Sequence, residues 1–256
     1  MKFFALISKV LLLVVYGMSA GKTLATDDKT EICYQNVWAC LKTASKTEPP
    51  TGNERIEQNQ RIMVRYWDEY KVPDEIFTTG TIATKDRIIM ISDDLEYYQD
   101  EKDVIMINKK TQSIVHTQSS LFYMDSQHER RRLIEELQDT VMAYVSGKTM
   151  TEYKSNGKSI QKLELDIEEK MQKTFKVKKL VYHYDPGKKE VIKTELYFDE
   201  SYKIKAKITW FLDDEISFDK DILKKPVKKQ VFTSDGKLKE KYNNYTYIDN
   251  QESSKN

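Results

Sequence analysis

The chain has 256 residues; 32% are charged and 39% hydrophobic, and 42 basic against 41 acidic side chains give a net charge of +1. Eight Gly and five Pro exclude a collagen-like or Pro/Gly-rich linker chain, and two Cys exclude a disulfide scaffold. Five Cys and His residues scattered along the length argue against a zinc protein built on Cys/His clusters, while 16 Tyr, 9 Phe and 3 Trp supply material for a core.

Residues 1–25 read as a signal peptide. Met1-Lys2 gives a positive start, Val10–Tyr16 an apolar run, and Gly17, Ser19, Ala20 and Ala25 the small residues that follow. Lys9 and Lys22 keep the run short of the roughly 20 apolar residues of a membrane span. Cleavage after Ala25 and after Ala20 both fit. Removing Lys2, Lys9 and Lys22 leaves 39 basic and 41 acidic residues, a balance that gives no attraction to nucleic acid. The expectation is an exported protein, periplasmic or extracellular, with no stable membrane span after cleavage.

A short helix is predicted over 30–45. Cys33, Val37, Cys40 and Leu41 recur at helical spacing. Residues seven apart on a helix are about 10.5 Å apart along the axis, beyond the roughly 7 Å between Cα atoms that a disulfide spans. Helical spacing therefore favours free thiols; an irregular segment would allow a Cys33–Cys40 bridge.

Pro49-Pro50-Thr51-Gly52-Asn53 breaks the chain. A meander follows over 61–118: Ile62, Val64 and Tyr66 alternate with Met63, Arg65 and Trp67, then come short β-rich runs at 76–84, 87–91, 95–99, 104–107 and 113–117. Gly80 inside the second run suggests a bulge. Residues 126–146 change to a period of 3.6, with Leu133, Leu137, Val141, Tyr144 and Val145 on one face, a capping-box Ser126 and Glu129, and Gly147 as the stop. Strands are then expected over 150–248, with an Asn156-Gly157 hairpin turn. Residues 160–175 fit helix or strand, and strand is favoured. Long strands are predicted at 177–184, 191–198, 203–212, 228–233 and 237–248, and residues 250–256 form a polar, disordered tail. Residues 26–249 are thus expected to form one domain, mainly β with α (α+β): a curved antiparallel sheet or incomplete β-barrel, with helices covering one opening.

No G-x-S-x-G, H-E-x-x-H, P-loop or dinucleotide fingerprint occurs, so no catalytic residue, metal ligand or cofactor is assigned. His116, His128 and His183 stand alone in sequence; only a spatial cluster such as His183 beside carboxylates would revive an enzyme. Asp213-Asp214-Glu215 reads as a turn rather than a calcium loop. Tyr66, Trp67, Tyr70, Tyr182, Tyr184, Tyr197 and Trp210 lie on or beside predicted strands and read mainly as core, with a ligand groove as the sharper alternative.

The order of elements resembles the periplasmic lipoprotein-carrier (Lol) fold. The resemblance rests on Ile76–Thr84 followed by Lys85–Met90, on Tyr97–Lys110 running to Ser113-Ile114-Val115, and on Leu180–Phe198 with Ile204–Phe211. It covers most of residues 30–248 as a pattern and holds no diagnostic motif. It implies a hydrophobic cavity for an acyl chain or lipoprotein and no enzymatic step. The expected cavity lining is the helix face Leu133, Leu137, Val141 and Tyr144. The alternative is an envelope interaction or structural module whose sheet is filled by its own side chains and whose partner is another envelope protein.

Overall fold

The computed structural model describes residues 28–45, 55–84, 86–119, 139–212, 218 and 221–251. Twelve strands follow in chain order: β1 Ile56–Tyr66, β2 Glu75–Ala83, β3 Ile88–Ser92, β4 Leu95–Gln99, β5 Asp103–Asn108, β6 Ser113–Gln118, β7 Val145–Ser155, β8 Lys158–Ile167, β9 Val177–Asp185, β10 Glu190–Phe198, β11 Ile204–Leu212 and β12 Thr246–Asp249. The helices are α1 Asp28–Ser45, α2 Glu169–Phe175 and α3 Lys228–Val231. Hydrogen bonding orders the strands β12-β6-β5-β4-β3-β2-β1-β11-β10-β9-β8-β7. Among the described residues the two end strands, β12 and β7, do not pair with each other, and the sheet is not closed.

The described chain divides into two compact units, one of residues 28–45, 62–76 and 139–211, the other of 55–61, 77–119 and the described part of 212–251. In the first unit, α1 carries Asp28 and Glu31 in its first turn and Lys42 in its last, each opposing the helix dipole. Its Cys33 and Val37 are fully buried, and it packs on β7 to β10. Both thiols are free on this helix, as the spacing favoured. Lys148 of β7 ties the helix down, with Nζ 2.9 Å from Glu31 and 3.6 Å from the centre of the Tyr34 ring.

Antiparallel register sorts β8 to β11 into two faces. Leu165, Leu180, Leu196 and Lys207 form one cross-strand row; Glu164, Val181, Glu195 and Ile208 form the next, on the opposite face. The β7–β8 turn has positive φ at both Asn156 (49°) and Gly157 (77°), the type I′ geometry expected of Asn-Gly. Between β9 and β10, Asp185 Oδ1 accepts from the amides of Gly187 (2.8 Å) and Lys188 (3.1 Å).

In the second unit, Ile82, Ile89, Ile105, Ile107 and Ile114 of the meander are at most 1% exposed. Ile222, Val227, Val231 and Tyr242, far off in sequence, complete this cluster. Each buried Ile contributes about 1.5–3 kcal/mol. Arg87 Nη1 donates to the carbonyls of Leu223 and Lys225, and Asp100 accepts from the Val227 amide, which fastens the C-terminal segment to the meander.

Several expectations need correction. Of the helix expected at 126–146, residues 120–138 lie outside the described residues, and the helical stretch at 139–143 gives way to β7 at Val145. Gly147 is not a cap: it lies in the strand opposite Asp166, whose Oδ2 would sit 3.3 Å from an added Cβ. Residues 160–175 divide into strand and helix. Leu163, Leu165 and Ile167 are buried in β8, and Glu169–Phe175, opening on the unbranched run Glu169–Lys173, then forms α2. Residues 228–231, expected as strand, are α3, introduced by Pro226 and built from Lys-Lys-Gln; Phe232 keeps only a single bridge to Leu238. The long strand expected at 237–248 shrinks to β12, which runs parallel to β6 after a 3-10 turn at Glu240–Tyr242. Gly80 pairs with Ile91 in an unbroken register with β3, so no bulge falls on that side. Asn250 and Gln251 of the polar tail are bonded to β6 and β5. Residues 1–25 and Asp213-Asp214-Glu215 lie outside the described residues.

Candidate binding cleft and the Glu195 cluster

The face of β8 to β10 that carries Glu195 holds the most concentrated chemistry in the first unit. Alternation along β10 places Lys193, Glu195 and Tyr197 on that face. Register brings His183 of β9 diagonally across from Glu195. His183 Nε2 lies 2.7 Å from Glu195 Oε1, and Lys193 Nζ lies 2.7 Å from the same oxygen. Tyr197 donates its hydroxyl to Glu195 Oε2 at 2.5 Å. Tyr153, reaching over from β7, bonds His183 Nδ1 at 2.8 Å. An ionised carboxylate only accepts, so His183 donates from Nε2 and the Tyr153 hydroxyl donates to Nδ1.

The hydrogen bond from His183, helped by Lys193 and Tyr197, holds the Glu195 carboxyl well below the usual glutamate range despite its burial. Burial, with the hydrogen bond to Glu195, pushes the Tyr197 phenol up to about 12. The structure thus brings His183 beside a carboxylate, the arrangement an enzyme would need. Both ring nitrogens and both carboxylate oxygens are engaged by partners, however. The cluster works as a clamp joining β7, β9 and β10.

The second unit contains the same constellation. His116 Nε2 lies 2.8 Å from Asp103 Oδ1, its Nδ1 2.7 Å from the Tyr247 hydroxyl, and Lys228 Nζ 3.2 Å from Asp103. Gln251 Nε2 adds a bond to Asp103 at 2.8 Å. A Tyr–His–carboxylate–Lys group in each unit, with the His and the carboxylate buried, supports a structural role for both.

Beside Glu195 the same face opens into a cleft of about 610 Å³. Trp67, Ile167, Val181, Tyr197 and Phe198 supply apolar and aromatic surface, and Lys162, Lys178, Lys179, Lys205, Glu164 and Asp166 supply the charges. Trp67 is held by its indole N–H on the Tyr202 carbonyl at 2.8 Å, with Lys205 5.5 Å from the centre of its ring. Glu164 bonds Lys162 (2.6 Å) and Lys179 (2.9 Å), and these two contacts hold its carboxyl below the usual range. The mixture suits a ligand with an apolar body and a polar or charged head.

Of the residues expected to line a cavity, Leu133 and Leu137 lie outside the described residues. Val141 is half-buried, and Tyr144 is buried, its ring 5.8 Å from that of Phe175. Neither Val141 nor Tyr144 lines the cleft. The residues of the cleft and of the Glu195 cluster were visible in sequence as alternating polar positions, Lys162-Glu164-Asp166 and Lys193-Glu195-Tyr197, but each strand taken alone reads as a solvated face. Among the described residues no group of three or more His, Cys, Asp or Glu could hold a metal ion, and no helix is long and apolar enough to cross a membrane.

No family model matches this chain, and no curated protein matches it. Three of the solved structures that are similar to it follow. An uncharacterized conserved protein from Thermus thermophilus is 10% identical at a TM-score of 0.36, over 87% of this chain and 99% of that one. A DUF1329 family protein from Desulfovibrio piger is 11% identical at 0.29, over 73% and 92%. A domain provisionally named outer membrane lipoprotein-sorting, from Vibrio parahaemolyticus, is 9% identical at 0.25, over 72% and 90%. At these scores none of them assigns a function here.

Proposed function

We propose that the protein is an exported, non-enzymatic binding protein that holds an amphipathic ligand, an acyl chain with a polar head, in the cleft over β8 to β10. The observation that carries this reading is the cleft itself, with aromatic and aliphatic walls and lysines and carboxylates around them. Export is read from the sequence of residues 1–25. Burying apolar ligand surface yields about 25 cal/mol per Å² before association costs. The engagement of both His183 ring nitrogens and both Glu195 oxygens within the protein supports binding without a chemical step.

The test is a native mass spectrum of the protein isolated gently from its host, followed by titration with pyrene-labelled palmitate. Acyl lipid leaving on activation, and saturable uptake of the probe, are expected. Ser146, an exposed residue lining the cleft, provides the control: Ser146→Trp fills the space and abolishes uptake in a folded protein. A bare mass with no uptake, or undiminished uptake by Ser146→Trp, overturns the reading.

One observation favours a second reading, an interaction or structural module. The α1-covered face is closed by its own side chains, with Cys33, Val37, Leu163 and Leu165 all at 0% exposure. Absence of probe uptake would favour that module.

A further inference from the structure

We infer that the outer edge of β7 pairs antiparallel with β7 of a second copy of this chain, about a two-fold axis through Met150. β7 ends the strand order and bonds only β8, so among the described residues no strand occupies its other side. It is 11 residues long, and Thr149, Thr151, Glu152 and Tyr153 on it are exposed or half-exposed. β12, at the opposite end of the order, has only four residues.

The hairpin turn determines which backbone groups point outward. In a two-residue turn the flanking pair, here Ser155 and Lys158, exchanges both hydrogen bonds. Pairs then alternate, so Lys154, Glu152, Met150 and Lys148 direct their N–H and C=O groups away from β8. A two-fold axis at Met150 sets Lys148 opposite Glu152 of the second copy, and Met150 opposite Met150. These are all outward-pointing residues, so the backbone register closes.

The side chains agree with that register. Lys148 meets Glu152 twice, once on each side of the axis, and opposite charges directly across a strand pair attract. Thr149 meets Thr151, a favourable cross-strand pair. Tyr153, 38% exposed, falls opposite Gly147, which brings no side chain of its own against it. Lys148 already bonds Glu31 in its own chain, and Glu152 accepts from Gln161 at 3.4 Å. The incoming Glu152 therefore joins a carboxylate–ammonium pair fixed in place. A register displaced by two residues would set Lys148 opposite Met150 or Lys154 and lose this match.

Sedimentation equilibrium of the protein expressed from its complete sequence tests the pairing. A reversible dimer is expected. Glu152→Lys, at an exposed position, creates two like-charge pairs and raises the dimer Kd by about tenfold. Met150→Pro removes one outward N–H while sparing the bonds to β8, and leaves only monomer. In a Cys40→Ser background, a mixture of Thr149→Cys and Thr151→Cys proteins gives a mixed disulfide on oxidation. Circular dichroism checks the fold of each variant; if Met150→Pro fails to fold, Glu152→Lys and the mixed disulfide still decide. A wild-type monomer at the highest attainable concentration, a dimer indifferent to Glu152→Lys, or no mixed disulfide overturns the inference.

Discussion

Replacing Glu195 by Gln tests how much the clamp of His183, Lys193 and Tyr197 contributes to stability. Glu195 is 7% exposed, so solvent does little to rescue a broken contact. Oε1 accepts from His183 and Lys193, and Oε2 from Tyr197 alone. A Gln side chain can keep its carbonyl at the Oε1 position and turn its amide toward Tyr197, whose hydroxyl reverses to accept. What is lost is the charge that two of the donors rely on, a cost of about 2–3 kcal/mol. Glu195→Ala leaves all three donors without a partner and costs about 3–5 kcal/mol. Urea unfolding of the two variants and the parent protein reads both numbers. The effect also carries a pH signature. The folded state holds this carboxyl below its ordinary range, so its stabilisation is complete above the unfolded glutamate pKa of about 4.3 and is lost as pH falls further. The acid limb of the stability curve is therefore shallower in Glu195→Gln. A Gln variant within about 0.5 kcal/mol of the parent, with an unchanged acid limb, would refute the clamp.

Three other outcomes follow from the same structure. Among the described residues Lys207 has no hydrogen-bond or ion-pair partner, and burial lowers its pKa beside the row Leu196, Leu180 and Leu165; Lys207→Met stabilises the fold at neutral pH by about 1–2 kcal/mol, a gain that shrinks toward the unfolded lysine pKa of about 10.4 as the parent sheds its proton, both read by thermal melts across pH. Gly157→Ala costs about 1–2 kcal/mol because φ is +77° there, and a loss near zero in urea unfolding would count against the type I′ turn. The unfolded chain shows two thiols to a thiol reagent, with no mass deficit of two hydrogens; in the folded protein Cys33, pushed up to about 11 by burial, reacts only after unfolding.

Where one strand face met the core and the other met water, the sequence was legible. Ile105 and Ile107 alternating with Met106 and Asn108 announced both the strand and its buried side. Between Lys228 and Ile248 the same kind of alternation misled. Tyr242 is buried there because its hydroxyl reaches Glu96 at 2.9 Å, a contact 146 residues away, and not because its backbone is extended. Gly147 misled in another way: it follows a helical period as a cap would, yet it serves close packing against Asp166. The cleft escaped notice because it is made of the polar rows of several strands, and only cross-strand register shows that these rows lie side by side.

The chain order of the second unit has a consequence for how the protein is made. Its meander, residues 77–119, is completed by Ile222, Val227, Val231, Tyr242 and β12, while most of the first unit is encoded in between. During synthesis the meander leaves the ribosome long before the partners that cover Ile105, Ile107 and Ile114. It must wait with its isoleucines uncovered and with His116 and Asp103 lacking Tyr247 and Lys228. A message cut short after residue 240 therefore yields a chain that has nearly all its strands and still cannot close this half.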